Sequence, residues 1–265
     1  MLEKIMLACC LTFVIHFAET ITYSLRIAGV RAGRLAVALS LTGMILLVSR
    51  TANMVQAPLA GKLIDTAKSS MEFALVDQLR LIIFSATLGT MAAMLVLPSA
   101  VQLAGRVIAH LEEAGSIPEM FRTSVTFKKI RHSRTHLRLP RIHMLKRLRI
   151  GGIPKRLVLL NVLVTAIYTI GVLAALLAAS LTETHAITAS QSSGLINGMA
   201  TILLALLIDP RIGLLTDKVL RGEKDKAALN KVFGLLMASR LLGTVAAQLL
   251  LVPAAYLILR IVILL

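Results

Sequence analysis

The chain has 265 residues, of which 57% are hydrophobic and 16% are charged. Soluble domains carry about 25% charged residues, so this composition excludes an ordinary soluble protein and indicates an integral membrane protein. The net charge of +16 could suggest a nucleic-acid binder. However, the Lys and Arg residues are concentrated in a few loops between apolar segments, which is typical of membrane topology. We therefore expect no nucleic-acid partner.

Six apolar segments are long enough to cross a hydrocarbon core about 30 Å thick, which takes roughly 20 helical residues. Backbone exposed to lipid has to satisfy its own hydrogen bonds, so these spans are expected to be helices. The predicted fold is an all-α integral membrane protein with six transmembrane helices, at 5–25, 35–57, 78–104, 157–181, 187–208 and 229–260.

The distribution of cations predicts the orientation of these helices. The central loop holds 13 Lys and Arg residues between Arg106 and Arg156 but only three acids. Two shorter basic loops, after the first and fifth helices, lie on the same face if six spans are right. The positive-inside rule assigns that face to the cytoplasm, so both termini are expected outside. The chain is accordingly divided into a three-helix half, a basic loop and a second three-helix half, at 1–104, 105–156 and 157–265.

The central loop contains a segment with helical spacing of apolar residues. Ile142, Leu145 and Leu148 alternate with cations, which suits either a short helix lying on an anionic leaflet or a solvated basic loop. Anionic membrane lipids are therefore expected partners of this loop. His132 and His136 have the spacing of helical metal ligands, but no acid or cysteine stands beside them. We predict no metal site and no cofactor.

The two halves share a short sequence pattern. Residues 57–65 and 209–217 place Pro, Gly, Leu and Asp at one common offset of 152. Three helices per half would give the halves opposite orientations, and this indicates an inverted-topology repeat as found in many transporters. The alternative is that Pro and Gly mark helix ends in both places. Structural or gating roles are predicted for six residues of these segments: Pro58, Asp65, Asp209, Pro210, Arg211 and Asp217.

Three charged residues interrupt the apolar spans: Glu19, Arg50 and Arg240. A charge near the bilayer centre costs roughly 2.5–3.5 kcal/mol on insertion scales, so such residues usually face a polar interior, water or a substrate. Other polar residues lie in register with them, because His16 shares a helical face with Glu19, and Asn53 and Gln56 follow Arg50 at steps of three. The candidate substrate-binding residues are Glu19, Arg50, Arg240, His16, Asn53, Gln56 and Asn197.

The predicted depths of the three charged residues in the membrane indicate which of them can pair. With a rise of about 1.5 Å per residue counted from the predicted span ends, Glu19 and Arg50 are offset by roughly 13 Å along the membrane normal. Glu19 and Arg240 fall at similar depth, so we predict that these two form the ion pair. Arg50 is then left without a carboxylate at its level. It would snorkel to the headgroups, face water or bind an anionic ligand.

Motifs of enzymes are nearly absent. The sequence has no Walker A segment, no GxSxG, no HExxH and no CxxC, and the paired carboxylates or nucleophile arrangements of polyprenyl pyrophosphate phosphatases are not found. We predict no catalytic residues and no enzymatic activity. Three alternatives stay open. The protein could be an enzyme acting on polyprenyl phosphates, a proton-coupled transporter of another solute that uses His16 and Glu19, or a scaffold that acts through its basic loop.

The polar segments resemble a known family. Residues 12–20, 26–31, 40–43, 48–57 and 209–217 are similar to the Amj family of bacterial lipid II flippases, the "alternate to MurJ" proteins. This resemblance implies a protein of the bacterial cell membrane. It implies a substrate, lipid II, which carries its disaccharide-pentapeptide on undecaprenyl pyrophosphate and would move from the inner to the outer leaflet. Arg50 and Arg240 would then hold the pyrophosphate in turn, since the guanidinium fork suits phosphate.

Overall fold

The computed structural model describes residues 2–70, 75–115, 119 and 154–264. Throughout these ranges the regular structure is helical. The helices are α1 Leu2–Ala32, α2 Leu35–Ser70, α3 Leu75–Ala114, α4 Lys155–Ser180, α5 Ala186–Leu203, α6 Asp209–Leu220 and α7 Lys226–Leu264. A π-helical turn at Leu204–Ile208 joins α5 to α6.

The described residues contain six segments long and apolar enough to cross a membrane, with α5, the π-helical turn and α6 forming one of them. The predicted all-α fold with six spans is confirmed. The helices are longer than predicted, because α3 continues to Ala114 and the fifth span continues to Leu220. The predicted spans ended where charged residues interrupt the apolar run. A helix can continue past such residues into the headgroup region. The predicted interfacial segment around 141–150 and the histidines at 132 and 136 lie outside the described residues.

The first two helices form a tight antiparallel hairpin. Gly33 adopts a positive φ of 70° after the last residue of α1, and the amide of Arg34 donates to the carbonyl of Gly29 at 2.8 Å. A side chain at Gly29 would overlap the Cβ of Ala38. Because α1 ends and α2 begins at one short turn, residues that are equally distant from the turn along the chain face each other at the same depth.

The packing follows the same order in the two halves. Helix α1 packs against α2 and α3, while α4 packs against α5 and α7. The halves join mainly where α7 contacts α3 and where α4 contacts α2. This order agrees with the predicted inverted repeat, which itself stays a prediction.

The core consists of two apolar clusters with a polar layer between them. One cluster includes Ile5, Ile82 and Leu251, and the other includes Ile27 and Phe233 near the basic loops. Between them, buried polar side chains come from α1, α2, α3, α4 and α7. The apolar clusters therefore isolate the middle of the bundle from both ends.

Two glycines, one in each half, allow the closest approach to the backbone of a neighbouring helix. A Cβ at Gly89 of α3 would overlap the carbonyl oxygen of Phe13 in α1, and a Cβ at Gly243 of α7 would lie 2.7 Å from the carbonyl oxygen of Val162 in α4. Small residues let membrane helices approach in this way. Each half thus contains a tightly packed helix pair, α1 with α3 and α4 with α7.

We expect Gly89→Ala and Gly243→Ala each to destabilise the protein by about 1–3 kcal/mol, the usual cost of overpacking. Gly105→Ala in α3 is the matched control, because nothing lies within 4 Å of its Cβ, and alanine is the better helix former. Thermal unfolding in detergent should show lower midpoints for the first two variants and an unchanged or higher midpoint for the control. Equal midpoints for all three would contradict the close helix contacts.

Candidate functional site

A buried ion pair lies in the polar layer. Glu19 of α1 pairs with Arg240 of α7, and their side chains are only 12% and 11% exposed. The hydroxyl groups of Ser49 and Tyr168 both donate to Oε1 of Glu19, at 2.7 and 2.8 Å. The carboxylate is therefore neutralised by one cation and held by two hydroxyl donors. The predicted pairing of Glu19 with Arg240 is confirmed.

The hydrogen bonds extend from this pair into α2. Nδ2 of Asn53 donates to the hydroxyl oxygen of Tyr168 at 2.7 Å, and Nε2 of Gln56 donates to Oγ1 of Thr12 at 2.6 Å. We call the set Glu19, Ser49, Asn53, Tyr168 and Arg240 the central cluster. It connects α1 and α2 of the first half with α4 and α7 of the second, so the halves meet at a charged contact.

His16 lies one helical turn from Glu19 and is 2% exposed. Its ring packs edge-on against Tyr168, with centroids 6.4 Å apart, and its Nδ1 has no hydrogen-bond partner among the described residues. A polar cavity of about 10 Å³ adjoins it, lined partly by Thr12, Asn53 and Gln56. That volume is close to the minimum for one water molecule with several polar partners. His16 therefore sits where a water could link it to the cluster.

The structure corrects the predicted depth of Arg50. Ser49 bonds directly to Glu19, so Arg50 is about 1.5 Å of helix rise from that level, and the predicted offset of roughly 13 Å is wrong. The error came from measuring each helix from an assumed membrane boundary instead of from the turn they share. Glu19 therefore lies at nearly the same depth as Arg50, but its carboxylate is already paired with Arg240.

Arg50 itself is exposed. It lies on a face of α2 that no described residue covers, together with Leu47 and Met54, which are 58% and 76% exposed one turn to either side. Within the described part of the chain, its side chain makes no ion pair. Arg50 is therefore a cation beside the central cluster whose guanidinium is available on the outside of the helix bundle.

Asn197 is not part of the hydrogen-bonded cluster. It lies on α5 against α4, where a Cβ at Gly171 would overlap its Oδ1. That oxygen is buried and has no hydrogen-bond partner among the residues that the structure describes. Asn197 therefore marks the contact of α5 with α4, and the structure places it apart from Glu19 and Arg240.

The predicted structural residues lie at helix ends and on exposed surfaces. Asp209 begins α6 and pairs with Arg26 of α1 at 3.5 Å, and Pro210 occupies the first turn, where proline needs no amide partner. Pro58 lies inside α2, where it removes one backbone hydrogen bond. The side chains of Asp65, Arg211 and Asp217 are exposed. Asp209 therefore links α6 to the other half.

Two members of the site, Ser49 and Tyr168, were not among the predicted residues. In α4, Asn161, Thr165 and Tyr168 recur at i, i+4 and i+7, the same spacing that relates Thr12, His16 and Glu19 in α1. The signal in α4 contained no charge, and the strongly apolar surroundings concealed it. Ser49 could have been found from the hairpin, because it lies as far after the turn as Glu19 lies before it.

Together, the fold and the central cluster define a multi-pass membrane protein whose two helix groups meet at a buried ion pair, an arrangement typical of transporters. Residues 11–262 match the family model Amj, described as "Alternate to MurJ", and the chain belongs to this family. It is 42% identical over 248 residues to the protein named Lipid II flippase Amj of Bacillus subtilis (strain 168), and the match covers 93% of this chain and 92% of that protein. No solved structure gives a significant match.

Proposed function

We propose that this protein is a lipid II flippase, which moves the lipid-linked peptidoglycan precursor from the inner to the outer leaflet of the bacterial cell membrane. Its relationship to the flippase of Bacillus subtilis supports this function. The observation in the structure that carries the proposal is the Glu19–Arg240 pair, buried at the contact between the two halves. Charges in such a place mark the route of a polar or ionic substrate.

The chemistry of the substrate suits the central cluster. Lipid II carries an anionic pyrophosphate between a polyprenyl chain and a sugar-peptide headgroup. The headgroup has to cross the hydrocarbon layer, whereas the chain can stay in lipid. An arginine offers a planar fork of donors that matches phosphate oxygens. When Arg240 leaves Glu19, it can bind the pyrophosphate, while Ser49 and Tyr168 keep donating to the carboxylate that remains.

Alternating access requires that contacts between the halves open and close. Among the described residues, Glu19 pairs with Arg240 in the middle of the bundle and Arg26 pairs with Asp209 near the basic loops, and both pairs connect a helix of the first half with a helix of the second. In the proposed cycle the substrate competes with Glu19 for Arg240, so binding itself weakens the central contact. The Arg26–Asp209 pair then acts as a gate on the side of the basic loops.

The helices that pack mainly on a single neighbour supply the path. Helix α2 packs mainly on α1, and α5 packs mainly on α4, so both can move relative to the pairs that are held together by Gly89 and Gly243. Movement of α2 would carry Arg50, Asn53 and Gln56 past Glu19 and Arg240. We assign Arg50 and Asn53 to the pyrophosphate and the sugars, and Gln56 and Asn197 to polar groups of the headgroup.

The orientation in the membrane is part of this proposal. The basic loops would face the cytoplasm and both termini the outside, so that the Arg26–Asp209 gate lies toward the leaflet where the substrate is made. The loop at 105–156 would lie against anionic lipids of the same leaflet. This orientation gives the proposed direction of transport.

The position of His16 favours a second candidate, transport coupled to protons. Its Nδ1 has no partner among the described residues and lies beside a water-sized polar cavity, and imidazole is the side chain that most readily changes charge near neutral pH. A proton passing between His16 and Glu19 would weaken the pair with Arg240. Coupling of this kind is compatible with lipid II transport and also with transport of a different solute.

Leaflet-resolved labelling of lipid II tests the proposal. Cells that depend on this protein as their flippase should present lipid II to an external probe, and depletion should leave the lipid inside at an undiminished total amount. A proton-coupled solute transporter would leave the exposed fraction of lipid II unchanged on depletion. That result, at normal protein level before depletion, would reject the flippase function.

A further inference from the structure

A second basic site lies at the end of the bundle near the basic loops. A groove of about 240 Å³ runs between the start of α4, α6 and the start of α7. Three cations line it: Arg211 and Lys218 from α6, and Lys224 from the turn after α6. The central cluster contributes none of its lining residues. The groove is therefore separate from the Glu19–Arg240 site.

The cations of the groove have no ion-pair partner among the described residues. Within the described ranges, Arg211, Lys218 and Lys224 form no ion pair, and no acidic residue lines the groove. Arg211 and Lys218 are seven residues apart on α6, so they lie on one stripe of that helix. Their long side chains can turn toward a common anion. The groove thus concentrates three cations that pair with no acidic side chain of the described residues.

The rest of the groove is apolar, and its edge is exposed. Leu157, Ile212 and Val232 form its buried wall, whereas Leu214 is 64% exposed at its edge. Beyond Leu214, the exposed apolar face continues along the fifth span through Leu206, which is 67% exposed. An anionic headgroup among the cations would therefore have a lipid-covered apolar surface next to it for a hydrocarbon chain.

We propose that this groove is a loading site for the diphosphate headgroup of a polyprenyl diphosphate lipid, held before it reaches the central cluster. This inference rests on the proposed function, because a flippase has to collect its substrate from one leaflet. The diphosphate lies among Arg211, Lys218 and Lys224, and the first isoprene units follow Leu214 toward α5. Basic pockets between membrane helices on the cytoplasmic side bind phosphate-bearing lipid headgroups.

Charge favours a diphosphate over an ordinary phospholipid as the occupant. The linking diphosphate of a polyprenyl lipid carries two negative charges, whereas a phosphodiester headgroup such as phosphatidylglycerol carries one. Three cations without ion-pair partners in the described ranges are better balanced by the former. The helix that carries Arg211 and Lys218 begins at Asp209, which pairs with Arg26. A headgroup that draws Arg211 into the groove acts on α6 two residues from that ion pair.

The test is the affinity of the full-length protein for undecaprenyl diphosphate in phosphatidylcholine nanodiscs, read by native mass spectrometry. The variant Arg211→Gln with Lys218→Gln should bind roughly thirtyfold more weakly, since each cation near a lipid phosphate contributes about a kcal/mol. The matched control is Arg221→Gln with Lys226→Gln, which removes the same charge from exposed positions of the same region outside the groove. It should bind within about twofold of the original protein.

Equal weakening in both double variants would overturn the groove, because it would assign the effect to general attraction of anions. Displacement of the diphosphate lipid by equimolar phosphatidylglycerol would also overturn it, in favour of a phospholipid site. Lipid II translocation is measured in parallel on the unmodified protein. Its absence there would reject the proposed function, whereas translocation with unimpaired binding by the groove variant would reject the loading site alone.

Discussion

Replacing Arg240 with glutamine should destabilise the protein by about 3–5 kcal/mol, because it leaves Glu19 buried without its cation. It should also abolish the growth of cells that depend on this protein as their flippase. The two losses have different causes in the proposed mechanism. The first comes from an unpaired carboxylate, and the second comes from the missing donor to the pyrophosphate.

The double variant Glu19→Gln with Arg240→Gln separates these causes. Removing both charges of a buried pair is far less costly than removing one, so we expect most of the lost stability to return. Transport should stay absent, since no guanidinium remains to bind the pyrophosphate. Arg260→Gln, at an exposed position of the same helix, is the matched control and should retain both properties.

The measurements are thermal unfolding of the purified protein and complementation at equal membrane abundance. If the double variant supports growth as well as the original protein, the pair holds the helices together and has no part in moving the substrate. If the double variant is as unstable as Arg240→Gln alone, neutralisation of Glu19 is not what Arg240 contributes to the fold.

The sequence was sufficient to predict the pairing of Glu19 with Arg240 and the all-helical architecture, because buried charges and long apolar runs are costly to arrange in any other way. The sequence also contains the information needed to match residues of α1 with residues of α2, which counting from assumed membrane boundaries did not reveal. Glu19 lies 15 residues before Arg34 and Ser49 lies 15 after it, while Thr12 and Gln56 lie 22 residues on either side. Counting residues from the turn would have predicted both contacts, Glu19 with Ser49 and Thr12 with Gln56.

Other parts of the site could not be predicted from local pattern. The π-helical turn at Leu204–Ile208 lies in a uniformly apolar stretch, and nothing in it indicates that the helix widens before Asp209. The contact of Asp209 with Arg26 depends on that turn and on how α6 packs, which are tertiary properties. Asp209, the acidic residue nearest in sequence to Arg211, therefore forms its ion pair with Arg26 of the distant helix α1.

The positions of Glu19 and Tyr168 extend the argument for a repeat. Phe13 and Val162, the residues contacted at the two close glycine crossings, are 149 residues apart, and so are Glu19 and Tyr168. If the halves are inverted copies, these two side chains occupy equivalent places, and their direct hydrogen bond lies where the halves meet. The central cluster would then lie near the axis about which the two halves exchange their conformations.

Arg50→Gln should impair transport without affecting stability, the opposite combination to a purely structural residue. Its side chain is exposed and has no ion-pair partner among the described residues, so its loss leaves no buried charge behind. A charged hydrogen bond to phosphate would nevertheless be missing, which should lower the rate of lipid II translocation roughly tenfold or more. Translocation into vesicles and thermal unfolding of the same preparations measure both quantities.

Arg50→Lys and Thr51→Ala complete this test. Lysine keeps the charge but not the planar fork, so it should restore part of the rate if the partner is a phosphate. Thr51→Ala changes the neighbouring exposed position and should leave the rate unchanged. A wild-type rate in Arg50→Gln would mean that Arg50 only reaches for the lipid headgroups. Arg240 would then be the cation on which the passage of the pyrophosphate depends, and Glu19 would be the group that competes for it.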